Sequence, residues 1–211
     1  KPSILIESGA DILSFGMGEY SMMEIADRLA AGEDVSTIND VRGTCVAIPV
    51  ENYVPSSVAE CPSYEQVCAS KREYAISCRI EQDEQDAVHG RKIIQRHGNV
   101  ILVQNPPMRP ITTEDFDWVY ELPYERTYHP MYEPLGGVPA IKEVEFSIIH
   151  NRGCFGACAF CSLAFHQGRQ ISTRSIESVV HEAEMLTHKP GFKGYIHDVG
   201  GPTANFRIHS C

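Results

Sequence analysis

Cys154, Cys158 and Cys161 lie within eight residues, in the run Asn151-Arg152-Gly153-Cys154-Phe155-Gly156-Ala157-Cys158-Ala159-Phe160-Cys161. Thiolates are the usual protein ligands of iron–sulfur clusters. Three on one loop, spaced C-x3-C-x2-C, suit a cluster that keeps one iron unligated by protein. An open iron can take a substrate or cofactor, so the spacing points to chemistry rather than to passive electron transfer. Structural zinc prefers four closed ligands, usually as two C-x2-C pairs. Here the fourth ligand would have to be His150, His166 or the distant Cys211. Three classes of protein stay open on the residues alone: a cluster enzyme, an iron–sulfur electron carrier and a zinc-stabilised binding module.

The loop needs elements to hold it. The apolar run from Phe146 to Ile149 reads as a buried strand, within Glu145–Ile149, that delivers the cysteines at its C-terminal end. That end is where α/β folds place their chemistry. Ser175 or Thr173 caps the next helix, whose apolar face is Ile176, Val179, Val180, Ala183 and Leu186. Pro190-Gly191 stops it, and Lys193 to Val199 reads as a second strand with Gly200-Gly201 at its tip. Two residues without side chains let backbone approach a ligand closely.

Upstream, Asp11–Phe15 reads as a strand, followed by a helix with a capping box at Ser21-x-x-Glu24 and apolar positions Met22, Ile25, Ala26 and Leu29. Val46–Val50 suggests another strand. This order resembles the closing part of a doubly wound nucleotide- or cobalamin-binding domain. Gly16-x-Gly18-Glu19 lacks the third glycine of a dinucleotide fingerprint and reads as a tight turn. Residues 51–140 form a connecting region with a second capping box at Ser63-x-x-Gln66. Tyr64, Val67, Cys68, Ala75 and Cys78 share one helical face there, so both cysteines read as buried small hydrophobes. Cys45 and Cys61 take the same reading. Gln82 to Asp86 reads as a solvated helix face, Val100–Val103 as a strand, and Thr113–Tyr120 as a short helix. Leu122 to Tyr132 carries three tyrosines, which fit either a pocket lining or the packing of an irregular segment.

C-x3-C-x-aromatic-C after a strand is similar to the radical S-adenosylmethionine (radical SAM) enzymes. More narrowly, the chain resembles their YgiQ-type members. Phe15-Gly16-Met17-Gly18-Glu19, Gln104-Asn105-Pro106-Pro107, Leu122 to Tyr132, Arg152-Gly153-Cys154-Phe155-Gly156, Gly168-Arg169, Arg174-Ser175 and Asp198 to Asn205 carry the resemblance, which spans nearly the whole chain. It implies that Cys154, Cys158 and Cys161 hold a 4Fe–4S cluster whose fourth iron chelates S-adenosylmethionine. Phe160 then packs near the adenine, and Gly200 and Gly201 match the first two positions of the Gly-Gly-Glu motif that receives the methionine amino group. Pro202 stands at the third position with neither carboxylate nor backbone donor; Asp198 and Thr203 are candidate substitutes. Arg152 and Arg169 are candidate partners for the cofactor carboxylate. The resemblance further implies that an external donor reduces the cluster and that a 5′-deoxyadenosyl radical abstracts hydrogen from a small-molecule or macromolecular substrate of unknown identity.

The implied architecture is α/β. Residues 1–50 are the end of a doubly wound Rossmann-like, cobalamin-binding-like domain, 51–140 a helical connecting region, and 141–211 the first βαβ unit of a partial radical SAM (βα)6 barrel. With no initiator Met and only two strands after Phe146, the chain reads as an internal fragment, inactive when isolated. A formal charge of −10 argues against a general phosphate-backbone binder. No apolar stretch approaches a membrane span, and eight cysteines fit a reducing cytoplasm better than a disulfide scaffold.

Overall fold

The computed structural model describes residues 2–156, 158–201 and Phe206. In chain order the elements are α1 (Ile4–Ser8), β1 (Ile12–Ser14), α2 (Glu19–Ala30), β2 (Thr44–Pro49), β3 (Ala59–Glu60), α3 (Tyr64–Ala69), α4 (Lys71–Asp83), β4 (Ile93–His97) and β5 (Val100–Gln104). There follow α5 (Thr113–Glu121), α6 (Ile141–Val144), β6 (Ser147–Ile149), β7 (Asn151–Arg152), α7 (Leu163–Gln167), β8 (Ser172–Thr173), α8 (Ile176–Thr187) and β9 (Asp198–Gly200). The architecture is mixed α/β, in two compact units. Residues 1–110 with 160–169 form the first, and 111–159 with 170–211 the second.

The first unit is built on a five-stranded sheet in the order β1-β2-β5-β4-β3. Val46, Ile94, Ile101 and Val103 make its buried heart. The β4–β5 hairpin turns through Gly98-Asn99, with Gly98 at φ +58, a left-handed conformation that two-residue hairpin turns demand. The strand–helix–strand order of β1, α2 and β2 is present, but β1 and β2 pair antiparallel, not parallel as a doubly wound domain requires. Gly43, at φ +71, immediately precedes β2, whose Thr44 lies opposite Ser14. Only β3 and β4 pair parallel in this sheet.

Several local expectations are corrected. Ser21 does not cap α2; Gly18 stands at the N-cap, and the buried Ser21 Oγ donates to the Arg42 carbonyl at 2.9 Å. The box at Ser63 and Gln66 forms as read. Ser70, however, ends α3 and caps α4, so the single helical face is broken and Cys68 and Cys78 are exposed. Glu84 leaves the solvated run and is buried against Arg91, accepting from its backbone N–H at 2.7 Å.

In the second unit, β6 and β9 pair parallel, with Ile149 opposite Gly200, and α8 lies between them in sequence. Phe146, Ile148 and Leu186 form the shared core, with Val179 and Ala183 packed on it. Ile176 and Val180, read as apolar-face residues, are instead exposed. Ser175 caps α8, accepting from Ser178 N–H at 3.0 Å, while Thr173 belongs to β8. The strand expected from Lys193 is shorter, because the chain bends through Gly194 at φ +90 and pairs only from Asp198.

Candidate cluster and cofactor site

The cysteine loop starts where β7 leaves β6. Asn151 and Arg152 pair antiparallel with Thr173 and Ser172, and Arg174 N–H donates to the His150 carbonyl at 2.9 Å. Gly153 then passes so close to the Gln170 carbonyl that a Cβ would collide with it, at φ +93. A glycine immediately before the first cysteine is therefore a steric requirement. Cys154 and Cys158 gather about Gly156. A Cβ there would lie 3.3 Å from Cys154 Sγ and 3.6 Å from Cys158 Sγ, and Gly156 N–H donates to Cys154 Sγ at 3.4 Å. Cys154, Cys158 and Cys161 are all free and at least partly accessible. Cys161 belongs to the 160–169 segment that clusters with the first unit. Among the described residues no group of three His, Cys, Asp or Glu side chains is drawn together as a metal cage. The donor set nonetheless suits iron: soft, uncommitted thiols, two of them already turned to one glycine that leaves room between them.

The other residues implied by resemblance fall as follows. Gly200 is buried at the tip of β9, and its carbonyl accepts from His150 N–H at 2.9 Å, which places the glycine pair beside the start of the loop. Gly201 follows it. Phe160 is 92% exposed. Arg152 lies over the Phe116 ring at 4.7 Å, and exposed Arg169 reaches the Gln82 carbonyl at 3.5 Å. Asp198 is exposed. Pro202, Thr203 and Cys211 lie outside the described residues. In the Leu122–Tyr132 segment, Tyr124 and Arg126 line a cavity of about 560 Å³ with Ser147, Ile149 and Arg152.

Three residues gain weight that spacing alone did not give them. Arg174 is buried, stacks over Tyr120 at 4.2 Å, donates to the Ile149 carbonyl at 3.0 Å and pairs with buried Glu182. Glu182 also holds Arg126, the only described non-glycine residue with positive φ. Asn151 is fully buried. Its one sequence signal is that asparagine is depleted in strands.

Comparison with known proteins assigns a family to most of the chain upstream of the cysteine loop. Residues 1–147 match the radical SAM N-terminal family, so the chain belongs to that family. It is similar to a UPF0313 protein of Clostridium botulinum strain 657, 49% identical across 99% of this chain and 33% of that protein. Others are a UPF0313 protein of C. botulinum strain Okra, 50% identical over 99% and 32% of the respective chains, and one of C. perfringens strain ATCC 13124, 47% identical over 100% and 32%. The chain thus spans about a third of the length of these relatives. No solved structure matches it. Among the described residues no helix is long and apolar enough to cross a membrane.

Proposed function

We propose that the chain carries the cofactor-binding start of a YgiQ-type radical SAM enzyme, in which Cys154, Cys158 and Cys161 hold a 4Fe–4S cluster. The observation that carries this reading is the C-x3-C-x2-C loop at the C-terminal end of β6, next to the glycine tip of its parallel neighbour β9. When bound, the cluster and S-adenosylmethionine supply one-electron reductive cleavage that yields a hydrogen-abstracting radical.

The chain's own residues then have distinct tasks. The Cys154 sulfur accepts from Gly156 N–H, a hydrogen bond of the kind through which a protein tunes a cluster's sulfur ligands. Gly153 lets the loop leave β7 against Gln170 without a clash. Gly200 and Gly201 bring backbone to the methionine moiety, and the exposed Phe160 ring is available to cover the adenine. Arg174 holds the Ile149 carbonyl and so fixes the strand end from which the loop departs. The substrate and the external electron donor engage parts of the full-length protein beyond these residues.

The test is anaerobic reconstitution of the full-length protein, with iron and sulfide counted. The expected result is about four irons per chain, lost on replacing Cys154, Cys158 or Cys161 with Ala and kept when Cys45, Cys61, Cys68 and Cys78 are replaced together in a folded variant. Tight stoichiometric zinc without iron uptake rejects the reading. A cluster that forms but takes no S-adenosylmethionine makes the protein an electron carrier.

A further inference from the structure

Asn151 is the most anomalous polar residue of the second unit. It is 0% exposed, and among the described residues neither its Oδ1 nor its Nδ2 has a hydrogen-bond partner. Buried amides are almost always paired, because losing water without replacement is costly. A carboxamide orphaned at both atoms therefore calls for a bond made in another state. Its position says which state. The Asn151 carboxamide fills the space a side chain at Gly201 would take: a Cβ there would collide with Oδ1, Nδ2 and Cγ. Asn151 thus stands behind the glycine pair, at the strand end that leads into the cysteine loop.

We infer that the Asn151 carboxamide is a binding group for an α-amino-acid head, accepting from its amino N–H through Oδ1 and donating to its carboxylate through Nδ2. The inference rests on the proposed radical SAM reading, in which that head is the methionine moiety of S-adenosylmethionine. Chemistry supports the match. An amino group with N–H to donate and a carboxylate that accepts need an acceptor and a donor side by side, and a carboxamide presents both. The position after Gly200-Gly201 that would supply a carboxylate is Pro202, which has none. Asn151 contributes the missing acceptor from the neighbouring strand. Gly201 is then glycine for two reasons, backbone access and room for the Asn151 amide.

The experiment uses the full-length protein and separates ligand binding from folding. Asn151→Leu replaces both unpartnered groups with an apolar side chain of similar size, a change that is neutral or stabilising when nothing pairs with them. In metal-free protein its melting temperature should equal or exceed that of wild type by a few degrees. In the anaerobically reconstituted variant, iron content should be unchanged while equilibrium dialysis shows S-adenosylmethionine binding weakened roughly tenfold or more. L-methionine as competitor should lose potency in parallel, whereas 5′-methylthioadenosine, which lacks the amino-acid head, should bind as to wild type. Asn151→Ala, which cannot clash with Gly201, carries the same binding arms if the Leu variant does not fold. A folded variant with a lower metal-free melting temperature and unchanged affinity assigns Asn151 a structural bond and overturns the inference. Affinity within twofold of wild type at equal iron content also overturns it and leaves the radical SAM reading intact. A wild-type cluster that takes no S-adenosylmethionine removes both.

Discussion

The cysteines of this chain divide by environment, and environment sets what each thiol can do. Burial pushes the Cys45 thiol up to about 12, and burial also raises Cys61. Neither is a nucleophile or a metal ligand at neutral pH, since the thiolate is the reactive form. Cys68, Cys78 and Cys158 are exposed, and Cys154 and Cys161 partly so. Iodoacetamide at neutral pH should therefore modify these five in the metal-free protein and spare Cys45 and Cys61, as mapped by peptide mass spectrometry; early labelling of Cys45 would contradict its burial. The same thiol gives a pH dependence. Between its ordinary 9.0 and about 12, folded Cys45 keeps a proton that the unfolded chain releases. The folded state holds more protons there, so stability falls as pH rises, by up to about 1.4 kcal/mol per unit. In Cys45→Ala the decline of unfolding free energy across that window should be shallower by about that amount; an unchanged slope refutes it. The burial of Cys45 and Cys61 was legible from their isolation. The exposure of Cys68 and Cys78 was not, because a serine that ends one helix and caps the next is invisible to a face drawn on one continuous helix.

At the scale of elements, what spacing cannot reveal is which polar side chains hold elements together across the chain. Arg174 ties β6, α5 and α8 into one piece through the Ile149 carbonyl, the Tyr120 ring and the Glu182 carboxylate. Its sequence context, a charged residue before a capping serine, gives no hint of burial. Removing one partner of a buried pair leaves a charge without compensation, at a cost of about 3–5 kcal/mol. Arg174→Met should fall near the lower end, because Arg126 still holds Glu182 at 2.5 Å. Urea denaturation measures it, and a loss below about 1 kcal/mol would mean that solvent or Arg126 fully replaces the pair. Capping and hairpin signals fared unevenly for physical reasons. Ser63 with Gln66 formed its box because the chain enters α3 extended, whereas Ser21 sits inside α2 and spends its hydroxyl on Arg42. β4 was unread because Ile93 and Ile94 are followed by Gln95, Arg96 and His97, which blur the alternation, although Gly98-Asn99 marks the turn.

Over the whole molecule, the two units differ in how much sheet supports them. The first has five strands around a buried apolar centre. The second rests on a two-stranded parallel pair in which Ile149 is 46% and Val199 42% exposed. Parallel sheets normally have both faces covered, and a two-stranded sheet is marginal alone. The relatives are about three times as long, so their remaining length offers the natural cover for those residues. Hydrogen exchange on this 211-residue chain should accordingly show the amides of β9 exchanging at the earliest times and those of Val46, Ile94, Ile101 and Val103 last. In a full-length relative, such as the 49% identical C. botulinum protein, the segment aligned with β9 should become slow. On the proposed reading the same feature bears on chemistry, because glycines that hold a cofactor within hydrogen-bonding distance need a rigid strand behind them. On that reading, the 211-residue chain, reconstituted and reduced with dithionite, should release no 5′-deoxyadenosine above background, and the full-length protein should release it. Equal protection of β9 and of the five-stranded core, together with multiple turnovers by the short chain, would mean that two strands suffice to build the site.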